Sequence, residues 1–192
     1  MKKGLLIVLS GPSGVGKGTV RKQVFKDSSL NLVYSISMTT RSPRQKEIEG
    51  VDYFFVDKET FLKGIENGDF LEHAVFVGNY YGTPKSYVES LRGQGKNVFL
   101  EIEVEGAKQV LNKYQNDPDV LSIFLLPPSL EELEKRIRGR RSEEEEIIQE
   151  RLNKAKREMT LKDQYQYTVL NDNIKRASDE IKAIIRMRIN NK

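Results

Sequence analysis

The chain has 192 residues, of which 38% are hydrophobic and 31% charged, with 32 Lys and Arg against 28 Asp and Glu for a formal net charge of +4. That length suits one core with insertions, and no stretch approaches the ~20 apolar residues of a membrane span. With no cysteine and a single histidine, His73, disulfides, thiolate metal sites and histidine clusters are excluded, while the slight basic excess fits an anionic ligand without requiring nucleic acid.

"MKK" before "GLLIVLS" imitates the start of a secretory signal, but the apolar run is short and passes into glycine-rich "GPSGVGKG" with no cleavage site, so Leu5–Leu9 reads as a buried first strand. The pattern continues as helix Lys17–Phe25, and further short apolar runs predict strands at Val98–Ile102, Leu121–Leu126 and Thr168–Leu170. Helices are predicted at Lys85–Leu91, Glu105–Lys113 and Ile174–Ile189. Strand alternating with helix predicts an α/β fold around a parallel sheet. From about Leu32 to Pro84 the alternation breaks, and "LVYSIS", "VDYFFV" and "FLEHAVFV" predict a strand-rich insert around a helix near Lys58–Asn67. A second insert from Pro127 is all helix, with capping boxes at Ser129-x-x-Glu132 and Ser142-x-x-Glu145 and a break at Gly139. The acidic run Ser142–Glu146 reads as a first turn complementing the helix dipole.

Strand, glycine loop and helix together make Gly11-Pro12-Ser13-Gly14-Val15-Gly16-Lys17 a phosphate-binding loop, with backbone N–H groups around an anion and the Lys17 ammonium beside the β- and γ-phosphates of a nucleotide. The usual pattern has Ser or Thr after the lysine. Here Gly18 stands in that place and the first hydroxyl is that of Thr19. In "TTRSPRQKEIEGVDYFF", Arg41 and Arg44 stand three apart, a pair able to receive a second phosphate or simply two solvated charges.

The stretch Thr39-Thr40-Arg41-x-x-Arg44-x-x-Glu47-x-x-Gly50-x-x-Tyr53-x-Phe55-Val56 resembles the signature of the guanylate kinase family, and "GPSGVGKGT" is similar to that family's phosphate loop. "FLEHAVFVGNYYGTP", "LEIEVEGA", "PPSLEELEKRIRGR" and "VLND" extend the resemblance over nearly the whole chain. It implies a P-loop core at 1–33, 85–126 and 160–192, a GMP-binding insert at 34–84 and a helical lid at 127–159. It also implies transfer of the γ-phosphate of ATP to GMP, with Mg²⁺, in a cytoplasmic enzyme of purine nucleotide metabolism that also accepts dGMP. No nucleic-acid or membrane partner is implied, and whether the chain forms a homo-oligomer is left open.

The roles implied by the resemblance fall on residues whose chemistry suits them. Gly11, Pro12, Ser13, Gly14, Val15, Gly16, Lys17, Gly18 and Thr19 would hold the ATP phosphates, with Asn171 near the adenine. Arg41, Arg44, Tyr53 and Tyr81 would hold the GMP phosphate through guanidinium forks and phenol donors. Ser37, Glu72, Thr83 and Glu103 would meet the guanine base. An ionised Glu72 only accepts hydrogen bonds and guanine offers two adjacent donors, so AMP would be rejected by roughly 10⁴-fold or more. Lys17, Arg41, Arg136, Arg140 and Arg151 would stabilise the charge of the transferred group, the lid arginines arriving on closure. Glu101 and Glu103 replace the family's usual aspartates; Thr19 and Glu101, directly or through water, are the metal candidates. No general base is needed, because the GMP phosphate is itself largely ionised near neutral pH. Arg138, Arg141 and Arg157 read as solvated helix charges and His73 as a packed or surface side chain. The competing possibility is a non-catalytic module of this fold that binds phosphopeptides.

Overall fold

A computed structural model describes residues 2–139 and 144–192. Five strands form a parallel sheet in the order β2-β7-β1-β8-β9, with β1 Leu6–Ser10, β2 Leu32–Tyr34, β7 Asn97–Glu101, β8 Val120–Leu126 and β9 Tyr167–Leu170. Every residue of β1 is buried, as a central strand covered on both faces must be. Helices α1 (Lys17–Val24) and α7 (Ile174–Asn190) cover one face around Ile7, Leu9, Val20, Val24 and Ile181. Helices α3 (Lys85–Gly93) and α4 (Val104–Lys113) cover the other around Leu6, Val8, Val88, Leu100 and Ala107. The α/β expectation of a parallel sheet flanked by helices is met.

A second sheet of four strands runs β4-β3-β6-β5, with β3 Ser37–Thr39, β4 Tyr53–Phe55, β5 Phe70–Phe76 and β6 Asn79–Pro84. Helix α2 (Lys58–Glu66) packs on it through Phe61, whose ring stacks on Phe70 at 4.4 Å. Two sequence expectations are corrected here. "LVYSIS" is divided: Leu32–Tyr34 pairs with β7 in the core sheet, through Leu32 opposite Asn97, and only Ser37 onward enters the second sheet. The segment "NYYGTP" is a full strand, β6, turned back on β5 through Val77 and Gly78, both at positive φ (47° and 73°), the backbone that matches a two-residue hairpin to the twist of its strands.

The helical segment has its own small core of Leu133, Ile137, Ile148, Leu152 and Ala155 between α5 (Leu130–Arg138) and α6 (Glu145–Met159). The Ser129 cap is present, its Oγ accepting from the Glu132 N–H at 3.1 Å. The second capping box, with Ser142, and the site candidate Arg140 lie outside the described residues. No helix among the described residues is long and apolar enough to cross a membrane.

Candidate active site

The loop after β1 curls over the sheet's carboxyl end. Gly11 sits where a Cβ would lie 2.4 Å from the Leu125 carbonyl oxygen, so the chain leaves the strand only by close backbone approach. Gly16, at φ 99°, is the N-cap of α1, and a Cβ there would meet Asn171 Nδ2 at 2.8 Å. Lys17 folds back over the loop, its Nζ donating to the Gly11 carbonyl at 2.6 Å. Burial lowers the Lys17 pKa, while Glu103, Glu101 and Glu158 pull the other way. The ammonium is therefore partly desolvated, with the Glu103 carboxylate 3.9 Å away, and a low-dielectric setting strengthens its attraction for a phosphate.

The loop is held from three directions. Asn171, at the end of β9, donates from Nδ2 to the Val15 carbonyl at 2.8 Å, and Arg136 of α5 reaches the same oxygen at 3.3 Å. Arg151 of α6 donates to Ser13 Oγ at 3.0 Å. Beside the loop lies a cavity of about 560 Å³ lined by Gly14, Gly16, Thr19, Arg136 and Asn171 among others. Asn171 Oδ1 is buried without a hydrogen-bond donor among the described residues. A buried acceptor left unpaired is costly, and a ligand amino group would satisfy it. Another cavity, of about 530 Å³, opens at the opposite end of the sheet near Lys2, Tyr167 and Met187 and contains none of the site candidates.

The two metal candidates have different surroundings. Thr19 lines the cavity just described. Glu101 instead accepts from Arg21 Nε through Oε2 at 2.6 Å, and its Oε1 lies 3.3 Å from where a Gly18 Cβ would stand. Gly18 thus supplies the space into which that carboxylate leans. Among the described residues no three His, Cys, Asp or Glu side chains converge on a metal-sized site. Such a donor set fits Mg²⁺, which retains most of its waters and is held chiefly by nucleotide phosphates.

In the second sheet, Arg41, Tyr53 and Tyr81 come together. The Arg41 guanidinium lies 5.5 Å from the Tyr53 ring centre, and the two tyrosine rings meet edge-on at 6.1 Å. Glu47 takes one arm of the fork, accepting from Arg41 Nη2 at 2.8 Å and from the Arg44 backbone N–H at 2.8 Å, while Arg41 Nη1 donates to the Ser42 carbonyl at 2.7 Å. The bonds to Glu47, Arg41's first, hold the Glu47 pKa below its usual range, and Glu47 in turn raises that of Arg41. Arg44 is exposed on the rim. Glu47 has no role in the sequence expectations, although its place three residues after Arg44 puts it on the same turn.

Glu72 of β5 and Thr83 of β6 form a buried pair in the same sheet. Thr83 Oγ1 donates to Glu72 Oε1 at 2.5 Å, and the two residues are 1% and 8% exposed, Thr83 the lower. Burial raises the Glu72 pKa, opposed by the Thr83 bond and by Lys113. Ser37 lies in β3, paired opposite Tyr53. Glu103, the N-cap of α4, sits between two ammonium groups: Lys154 Nζ of α6 at 3.3 Å and Lys17 Nζ at 3.9 Å. It also stands one turn before Gly106, on the α4 face that meets Glu72. Sequence reasoning missed Lys154 and the buried Glu158 beside it, although Lys154 follows Arg151 by three and precedes Glu158 by four on one helix face.

A parallel sheet whose first strand ends in a phosphate loop capping a helix, beside a second sheet that carries Arg41, two tyrosines and a buried carboxylate, defines a nucleotide-binding protein of the phosphate-loop class. A guanylate kinase family model matches residues 3–188, and the chain belongs to the guanylate kinase family. It is 54% identical over 187 residues to a guanylate kinase of Mycoplasma mycoides subsp. mycoides SC and 55% identical over 187 residues to one of Mycoplasma capricolum subsp. capricolum. Each match covers 97% of this chain and 62% of the relative, so the chain spans less than two thirds of the length of these curated relatives. Among solved structures, guanylate kinase from Anaplasma phagocytophilum is similar with a TM-score of 0.73 and 35% identity, over 97% of this chain and 87% of that one. The SH3-kinase fragment of tight junction protein 3 in its apo form, 12% identical with a TM-score of 0.52 over 98% of this chain and 58% of that one, shares the fold alone.

Proposed function

We propose that the chain transfers the γ-phosphoryl group of ATP to GMP, and to dGMP, giving ADP and the nucleoside diphosphate in the cytoplasm. The observation that carries this is the phosphate loop with its partly buried lysine, accompanied in the second sheet by the Arg41–Glu47 pair and the buried Glu72–Thr83 pair. Residues 34–84 act as the acceptor-binding insert and 127–159 as a lid over the donor.

The adenine amino group meets the unpaired Asn171 Oδ1, and the ATP phosphates lie along Gly11–Thr19 with Lys17 on their outer oxygens. Thr19 and Glu101, directly or through water, would help to hold Mg²⁺, which would supply charge neutralisation at the transferring phosphate. The GMP phosphate takes the Arg41 Nη2 arm from Glu47, with Arg44, Tyr53 and Tyr81 as further donors. Guanine N1–H and the 2-amino group face Glu72, whose Oε1 is already fixed by Thr83, with Ser37 and Glu103 beside the ring. A GMP phosphate oxygen attacks the γ-phosphorus, the bond to the ADP oxygen breaks, and Arg136, Arg140 and Arg151 spread the developing charge. No side chain removes a proton, because the attacking phosphomonoester, with second pKa near ~6, is already ionised.

The test is ADP release with ATP, Mg²⁺ and each nucleoside monophosphate in turn. Turnover with GMP and dGMP but not AMP, CMP or UMP is expected, and no turnover with GMP would sink the proposal. A non-catalytic phosphopeptide module would use the Arg41 pocket without ATP, and the retained Lys17 and its loop support the kinase instead.

A further inference from the structure

Strand β5 lies at the edge of the second sheet, and its register against β6 slips between Phe70 and His73. Phe70 pairs with Pro84 and His73 with Gly82, so Leu71 and Glu72 share one partner, Thr83. This is a bulge, a device that re-aims a side chain and leaves backbone groups without strand partners. Four backbone groups of this stretch, the Phe70, Leu71 and His73 carbonyls and the His73 N–H, are taken by one helix of the core. Gln109 of α4 donates from Nε2 to the His73 carbonyl at 3.0 Å and accepts the His73 N–H on Oε1 at 3.1 Å. Its amide thus does for His73 what the next strand would do. Lys113, one turn further on, donates to the Phe70 carbonyl at 2.7 Å and the Leu71 carbonyl at 3.0 Å. A regular strand sends successive carbonyls to opposite sides, and here both converge on one ammonium. Gly106, one turn before Gln109, is where the Glu72 carboxylate lands: a Cβ there would stand 2.8 Å from Glu72 Oε2. Spacings of three and four residues put Gly106, Gln109 and Lys113 on one face.

We propose that this stripe of α4 is the positioning element for the Glu72 carboxylate, with Gln109 setting base selectivity by clamping the bulge and Gly106 by leaving room for the carboxylate. The inference rests on the guanine-binding role of Glu72. Core and acceptor pocket are thereby tied at the one carboxylate whose geometry decides between guanine and adenine. A carboxylate that drifts by about 1 Å loses most of a two-point hydrogen bond to the base while the phosphate fork and the donor site stay intact.

Gln109→Leu keeps the bulk and removes both bonds, and steady-state kinetics with GMP and AMP reads the result. Expected is a rise of about tenfold in KM for GMP and a similar fall in GMP-over-AMP preference, with kcat at saturating GMP and KM for ATP within about twofold. Gly106→Ala is expected to give the same signature more strongly, and Gln109→Asn, with both polar atoms but a shorter reach, to show it where Gln109→Leu does not fold. An unchanged GMP-over-AMP preference in these variants overturns the proposal, and so does a parallel change in kcat and in both KM values, which marks a merely structural clamp. Glu72→Gln serves as the reference. If it too leaves selectivity unchanged, the guanine assignment fails; if it responds and Gln109→Leu does not, only the positioning role does.

Discussion

Asn171 Nδ2 donates to the Val15 carbonyl at 2.8 Å, so the residue after the last core strand holds the floor of the phosphate loop while the other amide atom, Oδ1, faces no donor among the described residues. One side chain thus ties loop geometry to the cavity beside it. Asn171→Ala removes both functions, and an increase in KM for ATP of about fivefold is expected with KM for GMP little changed, since a lost buried hydrogen bond costs about 1 kcal/mol. Asn171→Asp should be worse, because a carboxylate oxygen would replace the donor facing the Val15 carbonyl. Equal effects on both substrates would refute this division of roles.

Glu47 holds one arm of the Arg41 fork in the free protein, which keeps the receiver ordered but requires the GMP phosphate to displace a carboxylate. Arg41→Lys keeps the charge and loses the fork, so kcat/KM for GMP should fall about 100-fold with KM for ATP unaffected. Glu47→Gln keeps an acceptor for Arg41 while removing the competing charge, and direct titration with GMP should show a smaller effect than Arg41→Lys. Tighter loss in Glu47→Gln than in Arg41→Lys would show that the carboxylate, not the guanidinium, organises the pocket.

Local grammar explains what was legible. The run from Leu6 through Gly16 to Lys17 declares strand, loop and helix within a dozen residues, and Ser129 announces its helix by a cap that the structure contains. Sheet membership is not local. The three residues Leu32–Tyr34 join the core only because Asn97 and its neighbours lie alongside, and β6 is obscured by Gly82 and Pro84, residues that weaken strand patterns. Arg41, Tyr53 and Tyr81 are brought together as the motif suggests. Partners distant in sequence were illegible: nothing near Glu101 foretells Arg21, 80 residues away, and nothing near Glu103 foretells Lys154.

Arg151 reaches the phosphate loop itself, at Ser13 Oγ, while Lys154 on the same face engages Glu103. Helix α6 therefore meets the phosphate loop through Arg151 and the Glu103 carboxylate through Lys154. Arg151→Ala should lower kcat about 10²- to 10³-fold, the usual loss on removing one donor to transition-state charge, with KM for GMP changed less than threefold. Single-turnover measurements separate this from product release, and an undiminished chemical step would remove Arg151 from the catalytic set.

Glu72 makes opposed demands on stability and function. Burial raises its pKa above the ordinary carboxylate value. A group of that kind contributes stability that is fully present below its unfolded pKa and is lost as pH rises through the folded one. At pH 7 the ionised carboxylate therefore weighs against the fold, and Glu72→Gln should raise Tm by roughly 2–4 °C, the shift made by about 1 kcal/mol at this size. The gap should close as pH falls below about 4.5, where both proteins are neutral at this position. Guanine recognition needs the ionised form, so KM for GMP in the native chain should rise on acidification through the raised pKa. Protonation of the GMP phosphate near pH ~6 also acts there, but equally on Glu72→Gln, so the ratio of the two KM profiles isolates Glu72. A Tm gap independent of pH, or a flat ratio, would show that Glu72 is neutral in the working protein and recognises its ligand as a hydrogen-bond donor instead.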